Sequence, residues 1–360
     1  MSKKRYFPPE LLNSFLQTLP NTVIQEIIGK SINNLPINLV QMGSGPFKIM
    51  IWSQMHGDET TTTKALIDFI PWFLAADQKL YQKAFKLYVI PQLNPDGAKV
   101  YTRFNANKID LNRDAIKLSQ PETKALRFIF DRTNPNLCLN LHGQRTIFAA
   151  GPMGATASLS FLAPSADNKR SLTKARKEAM RLIATIRDQL RDDLPNGIGR
   201  YDDSFNANCV GDSFTQMGTP TILLEAGHVS NDYQREITRK LILKTYKILL
   251  KTLNNEIKKM SVDDYFSIPE NSKDFCDVIL KDVLIYDKGI KKEKQELAIQ
   301  YKETLRNGVV EFIPHMLNYS ESLKINAHKT IILPTNLKRK VVYFNKEKKI
   351  DLKEFNLLLS

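Results

Sequence analysis

Four short runs of apolar residues, each ending abruptly in polar residues, mark the central part of the chain. They are Phe47–Ser53, Lys86–Gln92, Leu137–Leu141 and Thr221–Glu225. Between and after them lie longer amphipathic stretches that we predict to be helices, near residues 60–76, 120–132, 170–193 and 231–257. This alternation is typical of an α/β sheet. We therefore predict one α/β domain over residues 46–257.

The chain changes character on both sides of this domain. Residues 1–45 hold one short candidate helix, from Pro8 to Leu16, and we interpret them as an N-terminal entry segment. After residue 257 lysine becomes frequent and the apolar runs are short: Val278–Tyr286, Gly308–Ile313, Thr330–Leu333 and Val341–Phe344. These runs predict short strands, so residues 258–360 are expected to form a small accessory domain.

One helix start has a recognisable sequence signature. Ser119 is followed three residues later by Glu122, with Pro121 in the first turn. Because a serine and a glutamate at this spacing can satisfy each other's backbone N–H groups, we predict a capping box before the helix near residues 120–132.

Composition narrows the class of protein. A chain of 360 residues with 42% hydrophobic and 25% charged residues has enough apolar material for a large core, which excludes wholesale disorder. No apolar run approaches the roughly 18 residues needed to span a bilayer, so no membrane partner is expected. The basic N-terminus has no apolar stretch behind it, which predicts a cytoplasmic protein without a secretory signal. Three cysteines are too few for a disulfide framework.

The chain is basic, with a formal net charge of +14, of which +10 falls in residues 1–256 and +4 in residues 257–360. No zinc-finger spacing or RNA-binding signature accompanies the charge, so no nucleic-acid partner is expected. We interpret the charge as a contribution to solubility, with a preference for acidic peptides as an alternative.

Candidate chemistry collects where the predicted strands end. His56 and Glu59 follow the first strand, and imidazole plus carboxylate at this spacing is a pair that zinc accepts. His142 and Glu225 close two further strands, and ligands of open α/β sheets gather at such ends. An unpaired buried charge is costly, so Glu225 is expected to face a cleft or a cation. His228, three residues later, is a rival metal ligand.

A fourth cluster lies in one loop region after the turn Asn94–Gly97. It contains Arg103, Asp110, Asn112 and Arg113. Two guanidinium groups and an amide suit a carboxylate ligand, and Asp110 is able to orient an imidazole. Each cluster alone also has an ordinary interpretation as a loop or core histidine, a sheet-end glutamate paired with lysine, or solvated surface.

Taken in order, the four clusters resemble the zinc carboxypeptidase, or funnelin, family of metallopeptidases. The resemblance covers roughly residues 45–256 and rests on these matches: His56-Gly-Asp-Glu59, Asn94-Pro-Asp-Gly97, Arg103, Asp110-Leu-Asn-Arg113, His142 and Glu225. It implies a mixed, twisted sheet of about eight strands flanked by helices. It also implies one zinc ion per chain and hydrolysis of the C-terminal peptide bond through a metal-activated water.

The resemblance also assigns roles to the residues. His56, Glu59 and His142 are expected to be the zinc ligands, with Asp110 behind His56. The other expected roles are Glu225 as general base and acid, Arg103 as the group that polarises the scissile carbonyl, and Asn112 with Arg113 as the clamp for a peptide's free C-terminal carboxylate. Tyr201 is our choice for the family's mobile tyrosine, and the segment Gly211-Asp212 resembles the part that shapes the specificity pocket.

The chain also departs from the family pattern. Many digestive members have an arginine between the first two ligands, where this chain has Gly57-Asp58, and some relatives have aspartate at the place of Asn140. Two other functions are kept as alternatives: a related zinc amidase acting on murein peptides or small amides, and a non-enzymatic binding module with a vestigial zinc site. The sequence does not indicate the released residue or the oligomeric state.

Overall fold

A computed structural model of the protein describes residues 4–152, 154–287 and 290–332. The α-helices in this part are α1 Pro9–Leu16, α2 Thr60–Leu74, α3 Lys79–Ala84, α4 Pro95–Val100, α5 Pro121–Thr133, α6 Lys174–Gln189, α7 Val210–Gln216, α8 Glu236–Leu253 and α9 Val262–Phe266. The strands are β1 Ile24–Lys30, β2 Pro36–Met42, β3 Phe47–Ser53, β4 Phe85–Ile90, β5 Leu137–Gly143, β6 Ala149–Ala150, β7 Leu159–Leu162, β8 Ile198–Arg200, β9 Thr221–Ala226, β10 Asn271–Ser272, β11 Phe275–Asp287, β12 Ile290–Arg306, β13 Val309–Ser320 and β14 Asn326–Ile332.

Eight strands form one mixed sheet in the order β1-β2-β4-β3-β5-β9-β7-β8. The four central strands β4, β3, β5 and β9 run parallel, whereas β2 joins β4 and β7 joins β9 in antiparallel pairs. The carboxyl ends of β3, β5 and β9 therefore lie side by side at one edge of the sheet. This is the mixed sheet flanked by helices that the sequence predicted.

The central strands are largely apolar because both faces of the sheet are covered. In β3, Ile49 and Ile51 pack into a core that contains residues of α2, α6 and α8. Met50 and Trp52 point to the opposite face and pack with residues of α5 and α7. Successive side chains of a strand alternate between faces, so a strand buried on both sides is apolar at most positions before it ends.

Most predicted elements of this domain are present with small changes in their bounds. The predicted strand Phe47–Ser53 coincides with β3, and the three other central strands are found within two residues of their predicted ends. All four long helices are present, and the predicted helix after Pro8 is α1. Residues 24–42, which we assigned to the entry segment, contribute β1 and β2 to the large sheet. The domain limits at residues 45 and 257 otherwise remain predictions.

The predicted capping box before α5 is wrong. The helix begins at Pro121, and no side chain of its N-cap residue Gln120 caps it. Instead, the carboxylate of Asp114 accepts hydrogen bonds from the backbone N–H groups of Ser119 and Gln120, both at 2.9 Å, and also from the hydroxyl of Thr123. An ionised acceptor satisfies these donors better than a neutral hydroxyl does, so the cap comes from outside the motif.

The C-terminal region forms a second sheet of four strands in the order β13-β12-β11-β14. The predicted run Val278–Tyr286 lies in β11, Gly308–Ile313 begins one residue before β13, and Thr330–Leu333 overlaps the end of β14, with Leu333 outside the described residues. The three strands are longer than predicted, and β12 was not predicted. The predicted strand Val341–Phe344 lies outside the described residues. A small apolar core that includes Val283, Leu297 and Ile299 supports the sheet.

Among the described residues, the model contains no helix with the length and apolar character required to cross a membrane.

Candidate metal centre and active site

The predicted site residues come together at the edge where three parallel strands end. His56 and Glu59 lie on the connection from β3 to α2, His142 is the sixth residue of β5, and Glu225 is the fifth residue of β9. The register pairs His142 directly with Glu225 on the neighbouring strand. The fold thus brings residues from three separate sequence clusters to one place, as the ends of parallel strands do.

His56, Glu59 and His142 form a compact buried cluster. The Glu59 carboxylate contacts His56 Nδ1 at 2.7 Å through one oxygen and His142 Nδ1 at 2.9 Å through the other. The two Nδ1 atoms are 3.2 Å apart. All three candidate ligand atoms lie within 4.8 Å of one another, and no other such group of three occurs in the described part of the chain. Two imidazoles and a carboxylate that converge in this way are a donor set suited to zinc.

Electrostatics around His56 favour a cation. Burial lowers the pKa of the His56 imidazole, but the carboxylates of Glu59 and Asp110 outweigh it and raise this pKa to about 9. Asp110 Oδ1 lies 3.1 Å from His56 Nε2, on the side of the ring away from Glu59. The Asp110 carboxylate thereby fixes the ring so that Nδ1 points toward the cluster, the role expected of a residue behind a ligand.

The loop that carries the first two ligands depends on a close approach of two glycine backbones. A Cβ atom added to Gly57 would lie 2.0 Å from the carbonyl carbon of Gly97. The Asn94 side chain stabilises the contact between these two segments. It donates to the Met55 carbonyl at 3.2 Å and accepts from the Gly97 N–H at 2.8 Å. The predicted turn Asn94–Gly97 is the N-cap and first turn of α4, and its function is to hold the His56 loop.

Arg103 lies beside the cluster with its side chain 40% exposed. Its Nε and Nη2 atoms donate to Asp110 Oδ2 at 3.1 and 2.9 Å. Its Nη1 atom is 3.3 Å from His56 Nδ1 and 3.8 Å from Glu59 Oε1. The aspartate fixes the guanidinium, whose remaining donor is directed at the place where the ligand atoms meet.

Asn112 and Arg113 line a cavity of about 770 Å³ that also contains His56, Glu59, His142 and Glu225. Asn112 Oδ1 accepts from the Val210 N–H at 3.0 Å, and its side-chain NH₂ group has no partner in the parts of the chain the structure describes. Arg113 Nη1 donates to the Asn112 carbonyl at 2.7 Å and contacts Cys209 Sγ at 3.1 Å. An amide and a guanidinium with donors available in one cavity are suited to a carboxylate.

Glu225 and Tyr201 line the same cavity. Glu225 Oε2 is buried and has no hydrogen-bond partner among the described residues. Burial and the nearby Glu59 carboxylate raise the pKa of Glu225 well above its usual range. Burial, followed by the charge of Glu225, likewise raises the pKa of the Tyr201 phenol. Tyr201 therefore lies close enough to the carboxylate for its pKa to respond to that charge.

The rival ligand His228 is elsewhere. It is 1% exposed and packs against Tyr233 and His328, with ring centroids 4.7 and 4.4 Å away. Neither of its ring nitrogens has a hydrogen-bond partner in the described chain, and it lines neither of the two largest cavities beside the cluster. The reversed spacing of Glu225 and His228 therefore does not bring His228 to the metal-ligand cluster.

Two further polar residues line the cavity: Asn140, to which the sequence assigned no role, and Asp212, from the segment expected to shape the specificity pocket. Asn140, on β5 two residues before His142, is fully buried, and neither polar atom of its side chain has a partner among the described residues. Asp212, at the start of α7, is 6% exposed, and burial raises its pKa to about 7. The signal for Asn140 was present in the sequence as an amide in an otherwise apolar strand.

Comparisons with known proteins agree with this geometry. A family model described as zinc carboxypeptidase matches residues 10–233. The curated relatives include Carboxypeptidase SOL1 of Arabidopsis thaliana, 32% identical over 120 residues, which are 28% of this chain and 24% of that protein. They also include Carboxypeptidase 2 of Trichophyton tonsurans, 32% identical over 110 residues, or 29% of this chain and 20% of that protein. The matched stretch thus spans about a quarter or less of these relatives.

Solved structures share the fold. A metallo-carboxypeptidase from Burkholderia cenocepacia aligns with a TM-score of 0.54 at 16% sequence identity, covering 70% of this chain and 71% of that one. The carboxypeptidase A of Helicoverpa armigera aligns with a TM-score of 0.52 at 16% identity, covering 71% and 76% of the two chains.

Proposed function

Because the chain belongs to the zinc carboxypeptidase family, we propose that it is a zinc-dependent metallocarboxypeptidase that hydrolyses the C-terminal peptide bond of peptides or proteins. The observation that supports this most strongly is a single cavity that holds the converging cluster of His56, Glu59 and His142 together with Glu225 and the donors of Asn112 and Arg113. A metal site alone would fit many hydrolases. The carboxylate-binding donors beside it favour cleavage at a free C-terminus.

His56, Glu59 and His142 would hold one zinc ion, with Asp110 orienting His56. Three protein ligands are the number found in catalytic zinc sites, which keep a position for water or substrate. The ion would supply a Lewis acid for the scissile carbonyl and lower the pKa of a water molecule. The convergence of both Nδ1 atoms on the Glu59 carboxylate supports this ligand set.

Glu225 acts as the general base and acid in this proposal. Its half-buried carboxylate has an oxygen without a partner in the described part of the chain, and burial raises its pKa, which makes the ionised carboxylate a stronger base. A carboxylate of this kind accepts a proton from the attacking water and returns it to the leaving amine. Tyr201, on the same wall, is proposed to contact the substrate.

Arg103, Asn112 and Arg113 position the substrate. Asn112 and Arg113 bind the terminal carboxylate, which sets the cleaved bond one residue from the end of the peptide. Arg103 meets the negative charge that develops on the carbonyl oxygen, because its Nη1 atom points at the cluster. Asp110 takes part in both halves of the site, since it holds His56 through one oxygen and Arg103 through the other.

The decisive experiment compares peptides with a free C-terminal acid and the same peptides amidated at the C-terminus, with zinc content measured on the same preparation. We expect about one zinc per chain and release of the last residue from the free-acid peptides alone. Equal cleavage of both sets would contradict the carboxypeptidase and favour the amidase alternative, which murein peptides would then test. Absence of zinc binding and of any hydrolysis would favour the vestigial binding module.

A further inference from the structure

A second cavity, of about 510 Å³, adjoins the metal-ligand cluster. It shares Glu59, Arg103 and residues 143–145 with the cavity described above, whereas Asn112 and Arg113 line only the first. One wall of the second cavity is formed by the C-terminal sheet, through residues 300–303 of β12 together with Phe312 and His315 of β13. The two cavities therefore meet at the cluster and lead away from it in different directions.

Polar contacts hold the C-terminal sheet at this place. Glu303 accepts a hydrogen bond from Arg5 Nε at 2.9 Å and another from the hydroxyl of Tyr101. Thr146, which follows β5, accepts from Gln300 Nε2 through its hydroxyl and from His328 Nε2 through its carbonyl, both at 2.7 Å. These contacts join β12 and β14 to the loop that carries the cluster, so the wall of the second cavity is part of the folded protein.

The wall is aromatic and carries unneutralised positive charge. Tyr233, Tyr301 and Phe312 form a cluster of rings, with centroids 5.3 to 6.2 Å apart. Lys302 and Arg145 are both exposed, and neither side chain makes a hydrogen bond or an ion pair with another residue in the part of the chain that the structure describes.

The remaining charges along this cavity are largely committed to partners. Glu303 is neutralised by Arg5, and Arg103 by Asp110. Glu59 belongs to the metal-ligand cluster, and Asp58, next to it, has one oxygen buried. That oxygen of Asp58 has no hydrogen-bond partner among the described residues. The charged residues of this cavity that are exposed are Arg145 and Lys302, and both are cations.

We propose that the C-terminal sheet is part of the substrate-binding site, and that the second cavity binds the residues preceding the cleaved bond and selects acidic side chains there. The proposal rests on the proposed function, because that function fixes which way the peptide runs. With the terminal carboxylate at Asn112 and Arg113 and the scissile carbonyl at Arg103, the rest of the peptide leaves along the second cavity. Lys302 lines the same cavity as Arg103 and Glu59, and each extended residue covers about 3.3–3.6 Å, so the proposal assigns the two residues before the cleaved bond to the wall that contains Lys302.

The test uses the full chain and two blocked tetrapeptides that share a C-terminal residue, with either two glutamates or two lysines before the cleaved bond. The variant is Lys302→Glu, and the matched control is Lys329→Glu, an exposed lysine on β14 that does not line the second cavity. Both variants change the net charge of the same sheet by the same amount. kcat/KM is measured for both peptides, and binding of both labelled peptides is measured in the Glu225→Gln background, where hydrolysis is removed.

We expect the parent protein to prefer the glutamate peptide. Lys302→Glu should lower the ratio of kcat/KM for the glutamate peptide to that for the lysine peptide by roughly 3- to 10-fold, because an exposed attraction becomes a repulsion. The Lys329→Glu control should leave the ratio unchanged. A parent protein without preference, or equal effects of the two variants, would overturn the proposal while leaving the carboxypeptidase function standing. If no peptide were cleaved, the proposed function would fail, and the binding ratios would still decide the role of the wall.

Discussion

The large sheet and the C-terminal sheet bury their strands in different ways, and the difference explains what each contributes to the site. In the large sheet, helices cover both faces, so β3 has apolar side chains on both sides and ends in the polar residues that bear the chemistry. In β12 of the C-terminal sheet, a buried run that includes Leu297 and Ile299 is followed by exposed or half-exposed charged residues such as Lys302 and Glu303. The large sheet thus fixes catalytic groups rigidly, whereas the C-terminal sheet presents a polar surface toward the cleft.

The largest expected effect is at the metal cluster of the large sheet. His56→Ala or His142→Ala should reduce zinc content from about one per chain to a small fraction, because two protein ligands remain. Zinc content after dialysis, measured by atomic emission, checks this. His228→Ala is the matched control, since His228 is a buried histidine outside the cluster and its variant should keep the metal. Loss of zinc from the control with retention in the other two variants would show that the ligand set is wrong.

The next largest effect is expected at Glu225, which is proposed to transfer a proton and not to bind zinc. Glu225→Gln should keep zinc and fold but lower kcat by roughly 10²- to 10⁴-fold, because an amide cannot accept and return a proton. Single-turnover kinetics together with zinc content check this outcome. A variant that retained parental kcat would exclude Glu225 as the proton carrier.

A smaller effect is expected at the carboxylate clamp. Arg113→Ala should lower kcat/KM for free-acid peptides by roughly 10- to 100-fold, since a charged hydrogen bond is worth about 1.5–3 kcal/mol. The same peptides amidated at the C-terminus should lose little further activity, which makes them the internal control. A proportional loss on both sets would mean that Arg113 supports the fold of the cleft and does not bind the carboxylate.

The smallest effect on activity is expected for two core substitutions, one in each sheet. They test directly how the large sheet and the C-terminal sheet differ in their support of the metal cluster. Ile51 in β3 and Ile285 in β11 are 2% and 0% exposed, and truncating either to alanine should cost about 2–5 kcal/mol in the unfolding free energy of its own sheet. Ile51→Ala should also weaken zinc binding, because Ile51 supports the strand that leads to His56. Ile285→Ala should leave zinc content unchanged, as denaturant unfolding followed alongside zinc release would show. Equal loss of zinc in both variants would mean that the two sheets unfold as one unit.

The sequence predicted those elements whose signal is local. The strands β3, β5 and β9 were found because burial on both faces makes them continuously apolar, and their polar ends gave the candidate residues. β12 was missed because its half-exposed positions are filled with lysine, glutamate and glutamine, which obscure its alternation. The capping box before α5 was wrong because Asp114, outside the motif, supplies a stronger acceptor.

The sequence did not indicate which residues far apart in the chain come into contact in the fold. The contact between Arg5 and Glu303 joins residues 298 positions apart, and no pattern near either residue indicates the other. The same holds for Asn112, whose role in the cavity is fixed by the N–H of Val210, 98 positions away. Family resemblance compensated for this in the catalytic part and gave no help with the C-terminal sheet.

The bond between Arg5 and Glu303 also has a consequence for the order in which the protein is made on the ribosome. All strands of the large sheet have been synthesised once Ala226 has left the ribosome. Glu303, the residue of β12 that binds Arg5, has not yet been added at that point. At about 5–20 residues per second, the roughly 80 residues from Ala226 to Glu303 take on the order of 4–15 s to synthesise. During that interval the nascent chain contains every proposed metal ligand while one side of its cleft is still missing, and Arg5 has its partners Thr61 and Gln234 but not yet Glu303.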